Sequence, residues 1–128
     1  MSEKTTNCTF YKYLKNKDAE LFTLVCLPVN IGRFPTVIIR SPYVDEEENT
    51  SYEELCNKKA CEYEPWLRNG YAVVFQHCRG TGKSSGDFIP YVNERDDGLF
   101  LQEWIRTQDF YNGELYLWEA ATPHPCII

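Results

Sequence analysis

The sequence has no run approaching the ~20 apolar residues that a membrane span needs. Its start, MSEKTTNCTF, lacks the apolar stretch of a secretory signal. No cluster of Lys or Arg stands clear of the acids, and 13 basic against 19 acidic residues leave a net charge of -6. The basic footprint by which proteins hold nucleic acid is therefore missing. The cysteines Cys8, Cys26, Cys56, Cys61, Cys78 and Cys126 form no C-x-x-C, and His77 and His124 are the only histidines beside them. That pattern gives zinc little to bind. No internal repeat or low-complexity segment occurs. These absences lead us to expect a cytoplasmic protein with no nucleic-acid or membrane partner. Its thiols are expected to stay reduced and mostly fill the core.

What is present is apolar. Hydrophobic residues make up 43% and aromatics 15% of 128 residues, enough for one small folded domain with a modest core. Thr9 to Leu14 and Glu20 to Leu27 are apolar-rich runs around the polar turn KNKD and predict a β-hairpin. Phe34 to Arg40 carries TVII, a β-branched run without polar alternation, as in a strand buried on both faces. Pro42 and the acidic run DEEENTS make a loop.

Tyr52 to Arg68 predicts a helix with Tyr52, Leu55, Cys56, Ala60, Tyr63 and Leu67 on one face. Pro65 divides it and begins a short second helix at its first position. Asn69-Gly70 stops that helix. YAVVF, Tyr71 to Phe75, predicts a second buried strand, and a Gly-rich loop follows. Asn93 is placed to cap the next helix, with Glu94, Asp96 and Asp97 in its first turn, where the helix dipole favours anions. Phe100, Leu101, Trp104 and Ile105 form its apolar face. Asn112-Gly113 reads as a turn, and LYLW, Leu115 to Trp118, as the start of another buried strand. Strands alternating with helices at this spacing predict an α/β protein with a parallel sheet and crossover helices.

The Gly-rich loop, RGTGKSSG from Arg79 to Gly86, contains fragments of two motifs. A phosphate-binding loop needs G-x-x-x-x-G-K-[ST], but the position five before Gly82 is His77. The following SGDFIP reaches Pro90 too soon to supply the helix whose N-terminus would hold an anion. GKSSG is also a literal G-x-S-x-G. A nucleophile elbow is a tight turn directly between strand and helix. Here loop residues separate the strand from Ser84, and no helix starts at Ser85-Gly86. Ser84 is expected to be a loop serine.

Four blocks taken together are more specific: FPTVIIRSPY, RNGYAVVFQHCRGTGKSSGDFIPY, NERDDGLFLQEWI and NGELYLW. In order, spacing and character they resemble the N-terminal part of the X-Pro dipeptidyl-peptidase and cocaine-esterase-like (CocE/NonD) family of α/β-hydrolases. The resemblance covers about Phe34 to Trp118. It implies a truncated α/β-hydrolase fold, with an N-terminal β-hairpin followed by parallel strands and crossover helices. It also implies an oxyanion hole built from the backbone N–H after the nucleophile and a tyrosine hydroxyl of an R-x-P-Y turn. In this chain the turn is Arg40-Ser41-Pro42-Tyr43, so Tyr43 is the candidate catalytic residue. Pro42 stiffens the turn, and a phenol there could donate to a developing oxyanion. RGTGKSSGDF matches the family's R-G-x-G-x-S-x-G-x-F connection, which Arg79 is expected to tie down by hydrogen bonds. The family often has an acid where this chain has His77.

After Trp118 the family would continue G-x-S-Y, but the chain reads EAATPHPCII. The nucleophile is missing there, and so are the acid and histidine of later strands. Residues 1–118 are therefore expected to form a partial α/β-hydrolase domain and 119–128 an aberrant, frameshifted tail. Restoring one G before the Glu119 codon opens a frame that can encode G-G-S-Y-x-A-S-V-H-Y. Trp is TGG, so the lost base would lie in a run of G.

The expected function is that of an inactive N-terminal fragment of a serine hydrolase. The intact family acts on small ester, amide or X-Pro peptide substrates and needs no cofactor. The alternatives are a noncatalytic binding domain or half of a split enzyme whose C-terminal half is separate. A sheet cut at its central strand exposes an edge and apolar faces, so a stable soluble monomer would favour the binding domain.

Overall fold

A computed structural model describes residues 8–41, 44, 47–87 and 94–118. The chain opens with a hairpin of β1 (Cys8–Asn16) and β2 (Ala19–Leu27). The strands pair from Cys8↔Leu27 to Asn16↔Ala19, so they take in half of the KNKD segment. Only Lys17 and Asp18 remain to reverse the chain, and Lys17 does so at φ 60°. β3 (Phe34–Ser41), β4 (Ala72–His77) and β5 (Tyr111–Leu117) complete one five-stranded sheet in the order β1-β2-β4-β3-β5.

β4 is antiparallel to β2 and parallel to β3, with Val37 opposite Val73 and Ile39 opposite Phe75. β3 is also parallel to β5, with Ile38 opposite Leu117. Each parallel step is bridged by helix: α1 (Tyr52–Glu62) and α2 (Glu64–Arg68) link β3 to β4, and α3 (Glu94–Arg106) links β4 to β5. The expected strand–helix alternation is present, on a sheet whose first two strands are antiparallel. No described helix is long and apolar enough to cross a membrane.

The period of two along each strand divides the core into two layers. Leu24, Cys26, Val37, Ile39, Val73 and Phe75 face Leu55 of α1, Leu67 of α2 and Tyr63 at the junction between them. Val25, Leu27, Ile38, Ala72 and Val74 face Leu101 and Ile105 of α3. β3 and β4 are thus covered on both sides, as their unbroken apolar runs require. Cys26 and Cys78 are buried, Cys56 is half-buried and Cys61 is exposed, so core filling holds for two of the four cysteines whose side chains are described.

Helix boundaries follow local chemistry. The Ser51 hydroxyl accepts the Glu54 N–H at 3.1 Å and caps α1. The helical stretch breaks at Tyr63, and Pro65 is the second residue of α2 rather than its first. Both positions lie in the first turn, where a missing N–H costs no helical hydrogen bond. Gly70, at φ 86°, takes the left-handed position after the C-cap Asn69. Asn93, the expected cap of α3, lies outside the described residues.

Two expectations for β5 are corrected. Asn112-Gly113 is not a turn before the strand but an irregularity inside it, where the register jumps from Phe34↔Tyr111 to Thr36↔Leu115. Nor is LYLW buried: Tyr116 is 47%, Leu117 59% and Trp118 41% exposed. The reason is position. β5 is the outermost strand of the described sheet on that side.

Candidate functional site

The three parallel strands β4, β3 and β5 end side by side. The Cys78 N–H donates to the Ser41 carbonyl at 3.1 Å, and the Trp118 N–H to the Ile38 carbonyl at 3.0 Å. Ligands of open α/β sheets bind at this carboxyl edge. Two connections leave it: the β3–α1 segment, to which Val44 and Glu47 belong, and the β4–α3 segment containing RGTGKSSG. Tyr43 and Pro42 lie outside the described residues, whereas Ser41 is half-buried and Val44 buried.

RGTGKSSG folds back onto β2. The Ser85 N–H donates to the Glu20 carbonyl at 2.9 Å, and the Ser85 hydroxyl accepts the Glu20 N–H at 2.8 Å. The buried Ser84 hydroxyl accepts the Phe22 N–H and donates to the His77 carbonyl, both at 2.8 Å. The short β4 reaches only Thr23 of β2, so these serines satisfy the backbone beyond it. Ser84 is a structural loop serine, as expected.

Arg79 ties the loop down as the family resemblance implied. It grips Asp97 of α3 through Nε at 2.9 Å and Nη2 at 2.8 Å. Nη2 also donates to the Asn16 carbonyl at 3.2 Å, and Nη1 to Asp18 at 3.3 Å. One side chain thereby joins the hairpin turn, the loop and the start of α3.

Arg40 does similar work at the end of β3. Its Nη1 meets Glu94 at 2.7 Å and its Nε donates to Gln76 Oε1 at 2.7 Å. Gln76 passes the chain on to the Thr23 hydroxyl at 2.9 Å. The Arg40 Nη2 is buried and meets no acceptor among the described residues. Arg40, Glu94, Arg95, Leu99, Leu117 and Trp118 line a cleft of about 310 Å³ between α3 and the uncovered face of β5. Cys78 sits beside this ion pair. Burial pushes its thiol up to about 12, with Glu94 adding to the rise against the opposing Arg40 charge. It is therefore protonated at neutral pH and unsuited to nucleophilic attack.

A third polar group links the two connections. His77 Nδ1 accepts the Lys83 N–H at 2.9 Å, and Nε2 lies 2.9 Å from Glu47 Oε1. Glu47 also faces Lys59 Nζ at 3.1 Å, and both side chains are buried. Burial alone would raise the Glu47 pKa, but the bond to His77 and the Lys59 ammonium hold it below its ordinary value of 4.5. A folded-state pKa depressed in this way contributes stability above the ordinary carboxylate range. That contribution is lost as pH falls through the lowered value. Urea midpoints measured between pH 6 and pH 3 should fall with acid more steeply in the natural chain than in Glu47→Gln.

Nothing in the acidic run Asp45 to Glu48 singles out Glu47. Lys59 did leave a signal: a lysine falls on the apolar face of α1, four residues after Leu55. Gly82 explains why the loop is glycine-rich. It sits at φ 53°, and a side-chain carbon there would run into the His77 ring and come within 2.7 Å of Val44.

Among known proteins, the model of the X-Pro dipeptidyl-peptidase S15 family matches residues 18–117. The cocaine esterase of Rhodococcus sp. (strain MB1 Bresler) is 30% identical over 100 residues, covering 70% of this chain and 17% of that protein. A CocE/NonD family hydrolase from Staphylococcus aureus superposes with a TM-score of 0.65 at 21% identity, over 84% of this chain and 21% of its own. An α-amino acid ester hydrolase gives a TM-score of 0.64 at 17% identity, over 91% and 22%. These structural matches establish the α/β-hydrolase fold in partial form. The chain spans less than a quarter of the length of each of these relatives.

Proposed function

The chain belongs to the X-Pro dipeptidyl-peptidase S15 family, and from that premise we propose that it is the N-terminal part of a serine hydrolase. The intact enzyme would cleave an ester, amide or X-Pro peptide bond. Its nucleophile would come from the turn that follows β5. The observation that carries this reading is the strand register: Leu117 pairs with Ile38 and the Trp118 N–H bonds the Ile38 carbonyl, so β5 ends alongside β3 just short of Arg40 and Ser41. A serine on that turn would lie next to the R-S-P-Y segment. Tyr43 would then donate its hydroxyl to the oxyanion, together with the N–H following the serine.

The buried Nη2 of Arg40, which meets no acceptor among the described residues, supports the same placement. A buried guanidinium N–H needs an acceptor, and a carbonyl of the proposed turn would supply one. Ser84 does not compete for the nucleophile's role, because both sides of its hydroxyl are engaged by backbone. We propose further that EAATPHPCII is a frameshifted reading of the elbow, which leaves this 128-residue chain inactive. A second reading, assembly with a separately made C-terminal half, draws on the exposed Tyr116, Leu117 and Trp118.

A fluorophosphonate probe separates these readings. The chain as it stands should not label. Restoring one base after the Trp118 codon, with its downstream sequence, should give labelling at the new serine. Labelling of the present chain at Ser84, or a downstream frame without G-x-S, would overturn the proposal. Labelling after a separate C-terminal half is mixed in would favour the second reading.

A further inference from the structure

We propose that His77 is a two-sided positioning residue that locks together the two loops at the carboxyl edge of the sheet. The lock works only in one tautomer. Nδ1 accepts the Lys83 N–H, so it carries no proton. The ring proton is therefore on Nε2, donated to Glu47 Oε1. Glu47 belongs to the β3–α1 connection, where its own N–H donates to the Val44 carbonyl at 2.9 Å and its carbonyl accepts the Thr50 N–H at 3.2 Å. Lys83 belongs to RGTGKSSG. A carboxylate at position 77 could accept from Lys83 but could not donate to Glu47.

The surroundings favour this single arrangement. His77 is fully buried, and the rings of Phe22 and Phe75 lie 4.9 and 5.3 Å from it. Among the described residues, the charges around it are Glu47 itself, Lys59 and the more distant Lys58 on α1, and Lys83 on its own loop. The Lys83 ammonium adds a second stitch between the same loops, donating to the Glu48 carbonyl at 2.9 Å from above the Tyr52 ring. Gly82 lets the loop pass against the imidazole. The importance of the lock to catalysis rests on the serine-hydrolase reading. Its existence does not, and the following test involves no catalysis.

The measurement is nitrogen-15 NMR of the natural chain at pH 7, followed by amide hydrogen exchange on two isosteres. His77 should show the Nε2–H tautomer. His77→Asn keeps an acceptor near the Nδ1 position and loses the donor to Glu47. Its Lys83 amide should stay protected while the Glu47 and Thr50 amides exchange about tenfold faster, as for loss of one buried hydrogen bond. His77→Gln keeps the donor and loses the acceptor, and should give the reverse pattern. An Nδ1–H tautomer in the natural chain would overturn the proposal even if neither variant folds. So would equal acceleration of both loops in both variants, since that is the result of a ring that only fills space.

Discussion

Asp97→Asn should lower the unfolding free energy by about 3–5 kcal/mol, the usual penalty for removing one member of a buried ion pair. Asp97 is fully buried and holds the Arg79 guanidinium through two of its nitrogens. The amide keeps the shape and one acceptor oxygen but not the charge. Arg79 would be left with the exposed Asp18 and the Asn16 carbonyl, neither of which replaces a buried carboxylate. The loss should propagate, because Asp97 also accepts from the Asn16 amide at 2.7 Å and so joins α3 to the hairpin turn. Small domains have only about 5–15 kcal/mol in total. A urea titration should therefore place much of the variant in the unfolded state at concentrations where the natural chain is native. A shift below 1 kcal/mol would mean that solvent reaches Arg79 and that the pair is dispensable.

Glu94→Gln should cost about 3 kcal/mol, the low end of the same range. Arg40 keeps its bond to Gln76, which softens the loss. It already has one nitrogen without an acceptor among the described residues, so little remains to absorb the uncompensated charge. A double-mutant cycle with Arg40→Gln isolates the coupling of the pair. Coupling near zero would show that the 2.7 Å contact contributes geometry rather than energy. Because Arg40 lies near the end of β3 and lines the same cleft as Trp118, this variant should also disturb the cleft between α3 and β5 more than the distant hairpin. Exchange rates at the Leu117 and Trp118 amides would report that difference.

Both acids were visible in the sequence, but for a different reason. Glu94, Asp96 and Asp97 begin a helix, and the dipole at its N-terminus is sufficient cause for acids there. Nothing in their spacing marked two of them as buried counterions to arginines 54 and 18 residues away. The same limit applied to His77. As a residue in a Gly-rich block it was a departure from the family's pattern. In the structure it is the junction between two loops.

The sequence by itself determined the alternation of strands and helices, the burial of TVII and AVVF, and the family. Each of these rests on local periodicity or on ordered blocks, which survive without knowledge of what packs on what. Tyr43 is likewise a sequence-level candidate and lies outside the described residues. Tertiary structure alone decided that RGTGKSSG completes the backbone pairing of β2, that Lys59 and Glu47 are buried together, and that β5 is exposed. Those features depend on partners from 12 to 65 residues apart, or on the edge of a sheet, and a linear pattern encodes neither. LYLW shows the reason plainly. Its apolar character is that of a central strand, but burial belongs to whatever lies alongside, and β5 is the outermost strand of the described sheet on its side.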